Sequence, residues 1–163
     1  MPELNKIPRK ELMIRFADCD PLGHLNNTRY LDYFLNARED HLMESYGLSV
    51  YQVGKETGFT WVSANYKMAF LKEAMAQESV SISSRLIDYN ESRIRVEMQM
   101  NSKDLSICKA VLWAEFWYFD LKTRSAAKHH EKWMGLFEQL LFPIEEEGFD
   151  LRLRVLARAN KAI

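Results

Sequence analysis

Asp18-Cys19-Asp20-Pro21-Leu22-Gly23-His24-Leu25-Asn26-Asn27, followed by residues 28–46 without a glycine or proline and then by Gly47, is the stretch whose reading decides the architecture. Pro21 and Gly23 break any regular element, so the first ten residues form a loop. Asn26 or Asn27 is placed to cap the helix that follows. Leu31, Phe34, Leu35, Arg38 and Leu42 recur at helical spacing, and Tyr30, Ala37 and His41 widen the stripe. Gly47 stands where a left-handed residue ends a helix, with Leu48 free to pack back. The spacing predicts a helix of about five turns, near 30 Å long at ~1.5 Å per residue.

Outward from this helix the period changes. Leu12 to Ala17 reads as a first strand before the loop. Phe59 to Phe70 is aromatic-rich and reads as a strand. Val80, Ile82, Ser84 and Leu86 alternate with their neighbours, Tyr89–Ser92 is a turn, and Ile94, Val96, Met98 and Met100 alternate strictly with charged or polar residues. Asn101–Asp104 is the next turn, and Leu105 to Asp120 is long enough to cross a whole sheet. The order is strand, long helix, then a meander of strands, which predicts an antiparallel α+β fold. The last strand has a small even face (Cys108, Ala110, Ala114), suited to a closely seated helix. Its odd face carries Trp113, Trp117 and Phe119. An apolar face left open on a water-exposed protein implies association, so a homo-oligomer, at least a dimer, is expected. The competing expectation is that the C-terminal segment covers that face. There, Lys128 to Phe142 reads as a second helix ended by Pro143, and the adjacent His129 and His130 read as surface residues. The basic stretch from Arg152 to Lys161 fits either strand or helix. The whole chain, 1–163, is expected to be one domain, with a core over about 9–120 and a C-terminal extension over 126–163.

Composition narrows the function. Lys and Arg number 22 against 23 Asp and Glu, a net charge of −1, which argues against bulk-charge binding of nucleic acid. Hydrophobic residues at 47% and aromatics at 12% supply a core. No apolar run approaches the ~20 residues of a membrane span, so no membrane partner is expected. The N-terminal residues lack the apolar centre of a secretory signal. Two cysteines do not make a disulfide framework. A reduced, cytoplasmic setting is the expectation.

The loop at Asp18–Asn27 is also the richest concentration of chemistry. A carboxylate beside a helix N-terminus can act as nucleophile or general base. The N-terminus offers unpaired N–H groups and partial positive charge to an oxygen that gains negative charge. That combination suits acyl transfer. The plainer reading is that Asp and Asn before a helix are caps.

The pattern F-x-D-x-D-x-x-G-H-x-N-N-x-x-Y, over Phe16 to Tyr30, resembles the signature of hotdog-fold thioesterases. It is most similar to the 4-hydroxybenzoyl-CoA thioesterase group and also resembles plant acyl-carrier-protein thioesterases. The resemblance implies a hotdog: an antiparallel sheet wrapped around one long central helix, dimerising into an extended sheet and often forming tetramers. It implies hydrolysis of an acyl-CoA or acyl-carrier-protein thioester, with coenzyme A as part of the substrate and no separate cofactor. The catalytic carboxylate falls on Asp20, as nucleophile or base, and the oxyanion donor on the backbone N–H near Asn27. His24 takes the place of the motif histidine. The plant enzymes carry an Asn two residues after the Asp; Leu22 stands there in this chain, so the acid–Asn–His arrangement is not intact. Gly23, Asn26, Tyr30 and Trp61 are expected at the substrate. Asn26 is also read as a cap, Tyr30 equally as a packing residue, and Phe59, Trp61, Tyr66 and Phe70 as shapers of an acyl pocket.

Other groups carry less. Asp18 reads as a loop organiser through local hydrogen bonds. Asp18, Cys19, Asp20 and His24 lack the spacing of a zinc site, so no metal is expected. Nothing beside Cys19 lowers its pKa, so no thiol nucleophile is expected. Lys67, Lys72, Arg85, Arg93, Arg95 and the basic tail are candidates for the phosphates of coenzyme A. A hotdog that binds an acyl ligand or a protein without hydrolysis is the alternative function, since fold alone does not establish activity.

Overall fold

The computed structural model describes residues 2–162. Six strands and four helices follow one another along the chain. Strand β1 covers Arg9–Met13, helix α1 Tyr30–Tyr46 and helix α2 Val50–Thr57. Strands β2 (Phe59–Phe70), β3 (Ser79–Tyr89), β4 (Arg93–Ser102) and β5 (Cys108–Asp120) make the meander, and β6 is the short Ser125–Ala126. Helices α3 (Glu131–Leu140) and α4 (Phe149–Lys161) end it. The sheet is antiparallel in the order β1-β3-β4-β5-β2, with β6 paired to the end of β5.

The helix expected after the loop is present, and its end is the one anticipated. Gly47 has φ +61, its N–H donates to the Met43 carbonyl at 3.1 Å, and Leu48 N–H donates to the Leu42 carbonyl at 2.9 Å. The paired bonds satisfy carbonyls that the helix would otherwise orphan. Tyr30, Phe34, Ala37 and His41 are its buried face. It packs chiefly against β1, β3 and β4. The small residues of β5 therefore do not seat it, contrary to the sequence expectation. Instead Ala110, Leu112, Ala114 and Tyr118 join a core that also takes Trp133, Phe137 and Leu140 from α3.

Several boundaries differ from the sequence reading. The first strand ends at Met13, and Phe16–Asp18 is a turn of 3-10 helix. The loose alternation of residue types over Leu12–Ala17 does not extend the strand, because Phe16 turns out to solvent, 81% exposed. Helix α2 was not anticipated, although Ser49 accepts the Gln52 N–H at 3.2 Å and Gly58 closes it at φ +77. The second helix expected over Lys128–Phe142 is confined to α3. His129 precedes it and is buried rather than on the surface, held by Trp61 Nε1–H at 3.0 Å and bonded to the Asn90 carbonyl at 3.1 Å.

The open face of the sheet is covered from within the chain. The ambiguous basic segment is α4, and it lays Phe149, Leu153 and Leu156 on Ile87, Val111 and Trp113. Trp113 is 8% exposed and meets the Phe149 ring edge-on at 5.5 Å. Trp113 therefore gives no ground for association, contrary to the sequence expectation, because a helix of the same chain covers it. Trp117 and Phe119 lie outside that cluster and are half-buried.

One polar clasp fixes α4 there. The Glu97 side chain is 0% exposed. Arg152 donates to it through Nε and Nη2, both at 2.8 Å, and Trp113 Nε1–H and Arg85 Nη2 donate at 2.8 and 3.0 Å. Gln99 adds a further bond at 2.8 Å. Burial raises the pKa of Glu97, but Arg152, Trp113 and Gln99 outweigh it and hold the carboxyl at about 2. Arg152 is thereby committed to structure rather than to a phosphate. The same holds for Arg85, Arg93 and Arg95, each paired with a carboxylate of the sheet.

Candidate active site

The loop before α1 is closed on itself by Asp20. Its N–H donates to the His24 carbonyl at 2.8 Å, and its carbonyl accepts the Gly23 N–H at 3.0 Å. Its Oδ1 accepts the N–H groups of Leu22 and His24 at 2.9 and 3.1 Å. Gly23 has φ +79, a value glycine takes without strain, which is why the turn needs it. Two N–H groups therefore fix the carboxylate through one oxygen. Among the described residues Oδ2 has no donor, so one oxygen anchors and the other is left for chemistry.

Neighbouring bonds fix the turn to the rest of the fold. Leu25 N–H donates to the Ala74 carbonyl and Ala76 N–H to the Gly23 carbonyl, each at 2.8 Å. Asp18 accepts the Tyr33 hydroxyl at 2.6 Å and the Asn26 N–H on its carbonyl at 3.0 Å. Burial, with that hydrogen bond behind it, pushes the Tyr33 hydroxyl up to about 12. Asp18 organises the loop, as the sequence suggested. The Cys19 thiol is raised, by burial first and then by the charges of Asp18 and Asp20. A thiol pushed up is a poor nucleophile.

Helix α1 begins at Tyr30, three residues after Asn27. Neither Asn26 nor Asn27 caps the helix, contrary to the sequence expectation: Arg29 holds the N-cap position with no side-chain bond, because a turn intervenes. Asn26 closes that turn, its Oδ1 accepting the Thr28 N–H at 3.1 Å and the Thr28 hydroxyl at 3.0 Å. Within residues 24–29 every backbone N–H has an acceptor except that of Asn27, among the described residues. The first turn of α1 adds the unpaired donors and the positive dipole end common to helix starts.

Asp20, His24, Asn26, Asn27 and Tyr30 together line one cleft of about 500 Å³, faced across it by residues 70–73. Tyr30 is 2% exposed, meets the Phe70 ring edge-on at 4.9 Å and accepts the Ala74 N–H on its hydroxyl at 3.3 Å. It packs and lines the cleft at once. Of the expected cations, Lys72 is the one that reaches this cleft. Glu73, also on that wall, was missed; nothing in its local sequence marks it, since β2 must fold back to bring it there. Lys109 steadies the wall, donating to the Glu73 carbonyl at 3.0 Å and pairing with Glu78 at 2.7 Å. Among the described residues no three His, Cys, Asp or Glu side chains converge as metal ligands do.

Two residues expected at the substrate, Gly23 and Trp61, do not line this cleft. Gly23 shapes the turn but does not line the cleft. Trp61 lines a second cavity of about 210 Å³, between α1, α2, α3 and the inner face of the sheet. It sits there in an aromatic cluster, with ring centroids 4.9 Å from Trp133 and 5.0 Å from Tyr118. The sequence marked it as bulky, but which cavity a bulky residue enters is decided by strand register.

The antiparallel sheet and the helices packed on it define a hotdog-type α+β fold, with Asp20 in the loop that leads into α1. The chain belongs to the thioesterase-like superfamily, whose family model matches residues 14–147. A comparison with curated proteins finds no match. Solved structures are similar in fold. A putative oleoyl thioesterase from Lactobacillus plantarum superposes with a TM-score of 0.74 at 20% identity, over 88% of this chain and 54% of that one, so the chain spans about half that protein's length. The probable thioesterase YbaW from Escherichia coli gives 0.71 at 22%, over 82% and 98%. The hypothetical protein SAV2348 from Staphylococcus aureus, solved in complex with CoA, gives 0.78 at 12%, over 93% and 95%.

Proposed function

We propose that this protein hydrolyses an acyl thioester, of coenzyme A or of an acyl-carrier protein, to a free acid and a thiol. The observation that carries the reading is that one cleft is lined both by Asp20, whose Oδ2 has no donor among the described residues, and by Asn27, whose N–H has no acceptor among them. The thioester carbonyl oxygen points at the Asn27 N–H and the helix start, where developing negative charge is stabilised. Asp20 either attacks the carbonyl carbon, forming a mixed anhydride that water cleaves, or takes a proton from an attacking water. Both routes break the C–S bond and release the thiol. His24 and Asn26 flank the reacting group, and Tyr30 bounds the acyl side. Lys72 is the cation nearest to hand for a phosphate of the thiol carrier. No separate cofactor enters, and the setting we expect is the cytoplasm.

A dimer belongs to the same reading. Strand β2 is twelve residues long and forms one edge of the sheet. Its free edge is a template for a second copy, and it ends at Phe70 and the cleft wall.

The test is thiol release from a panel of acyl-CoA and acyl-carrier-protein thioesters, wild type beside Asp20→Asn. The Asn side chain keeps an oxygen for the Leu22 and His24 N–H groups, so the loop stays closed. Turnover is expected to fall by roughly 10²–10⁴-fold with an unchanged melting temperature. A folded variant that retains full turnover overturns the assignment of Asp20. No release from any thioester would leave the binding protein without hydrolysis as the reading to take up.

A further inference from the structure

The second cavity has a lining unlike the first. It is walled by aliphatic and aromatic side chains, among them Leu42, Leu86, Trp61, Trp133 and Leu136, and shares no lining residue with the Asp20 cleft. Arg38 also lines it. Five arginines of the protein are half-buried: Arg38, Arg85, Arg93, Arg95 and Arg152. The last four each have a carboxylate within 3.1 Å. Arg38 forms no ion pair among the described residues, not even with Glu39, exposed on the same rim. Its one bond runs from Nη1 to the Ser84 hydroxyl at 3.0 Å.

That bond explains how Arg38 is held. Ser84 is 1% exposed and lies 2.7 Å from Nδ1 of His41, itself 1% exposed. The hydroxyl accepts from Arg38 and gives its own proton to His41. Burial, and then the charge of Arg38, lower the His41 pKa to about 4, so the ring is neutral and available as that acceptor. Burial likewise pulls Arg38 down to about 10, yet it remains charged at neutral pH. A half-buried guanidinium without a counter-ion is open to one, and a carboxylate is the planar partner that its remaining N–H fork fits. Apart from Glu39, Ser49, Tyr46 and Tyr51, the rest of the lining is apolar. An apolar cavity of about 150 Å³ accommodates benzene. At about 210 Å³ there is room for roughly six to ten carbon atoms.

We propose that the cavity between α1, α2 and α3 is a second ligand site, for a small carboxylic acid with an apolar body, whose carboxylate pairs with Arg38. This site is independent of the proposed hydrolysis, because binding is read without turnover.

Titration calorimetry with octanoate and with octan-1-ol as probes tests it, together with quenching of tryptophan emission from Trp61 and Trp133. Wild type is expected to bind octanoate at least tenfold more tightly than octanol. Arg38→Gln is expected to lower octanoate affinity to the octanol level while octanol is unaffected. Leu136→Trp, which fills the cavity, is expected to abolish binding of both. Asp20→Asn, in the other cleft, is expected to change neither. Equal affinity of wild type for the two probes overturns the proposal without reliance on any variant. So does octanoate binding that survives Leu136→Trp or is lost in Asp20→Asn, and so does absence of binding.

Discussion

The role proposed for Asn27 belongs to its backbone N–H, not its side chain, and that distinction can be tested at a single residue. Its neighbours use their N–H groups internally: Asn26 to the Asp18 carbonyl, Thr28 to Asn26 Oδ1, Arg29 to the Asn26 carbonyl. Asn27→Ala keeps the N–H and is expected to leave turnover within a few-fold of wild type. Asn27→Pro deletes it and is expected to cost roughly 10²–10³ in kcat, the usual loss for one oxyanion donor. Thiol-release kinetics on both variants, with melting temperatures alongside, separate lost chemistry from a lost fold. Equal effects of the two substitutions would place the donor elsewhere in the first turn of α1. The candidate site was legible at this scale because a short loop reports its own geometry. Pro21 and Gly23 break it, and Asp20 accepts the N–H groups two and four residues on; the helix cap, expected at Asn26 or Asn27, falls instead on Arg29. Glu73 and the true place of Trp61 were not legible, because both depend on where β2 runs in the sheet.

Helices α1 and α4 show how differently two elements are specified. The apolar stripe and Gly47 define α1 locally. The α4 segment, with alternating Leu and Arg followed by Leu and Ala, is locally undecided; what makes it a helix is the sheet surface it covers and the Glu97–Arg152 clasp. The clasp has a pH signature. The Glu97 carboxyl lies at about 2 in the folded state against an ordinary 4.5. A depressed carboxylate contributes stability that is complete above 4.5 and lost as pH falls toward 2. The shift corresponds to about 3 kcal/mol. Urea unfolding of wild type and Glu97→Gln should differ by that much more at pH 6 than at pH 2, with the gap closing between pH 5 and 2. A difference constant with pH would mean that Arg152 does not hold the carboxylate in solution. Arg152→Ala, which leaves Glu97 buried with less compensation, is expected to cost about 3 kcal/mol at neutral pH.

At the scale of the whole molecule, the grounds for assembly move from the face of the sheet to its edge. The face at Trp113 is occupied by α4. The edge is β2, whose ladder to β5 slips between Ser63 and Asn65, leaving Ala64 without a partner residue on β5. A proline there falls at the slip, where no residue pair of the ladder is broken, and obstructs a neighbouring strand. Sedimentation equilibrium is expected to give twice the 19.2 kDa chain mass for wild type and a shift toward monomer for Ala64→Pro, with little change in thermal stability at matched monomer content. A wild-type protein that sediments as a monomer at micromolar concentration would end the dimer proposal.

The sequence by itself determined what local chemistry can determine. It fixed the long helix and its glycine stop, the strands of strict alternation, and the turn that presents Asp20 beside a helix start. Each of these is settled within a few residues, by steric preference, hydrogen-bond reach or periodicity. Only the tertiary structure decided which surface covers Trp113, that the basic tail is a helix, that His129 is buried against Trp61, and that two separate cavities lie along α1. Those outcomes turn on contacts between segments far apart in the chain, such as Glu97 with Arg152 and Arg38 with Ser84. Sheet register and helix docking choose among such contacts, and no local window of sequence contains them.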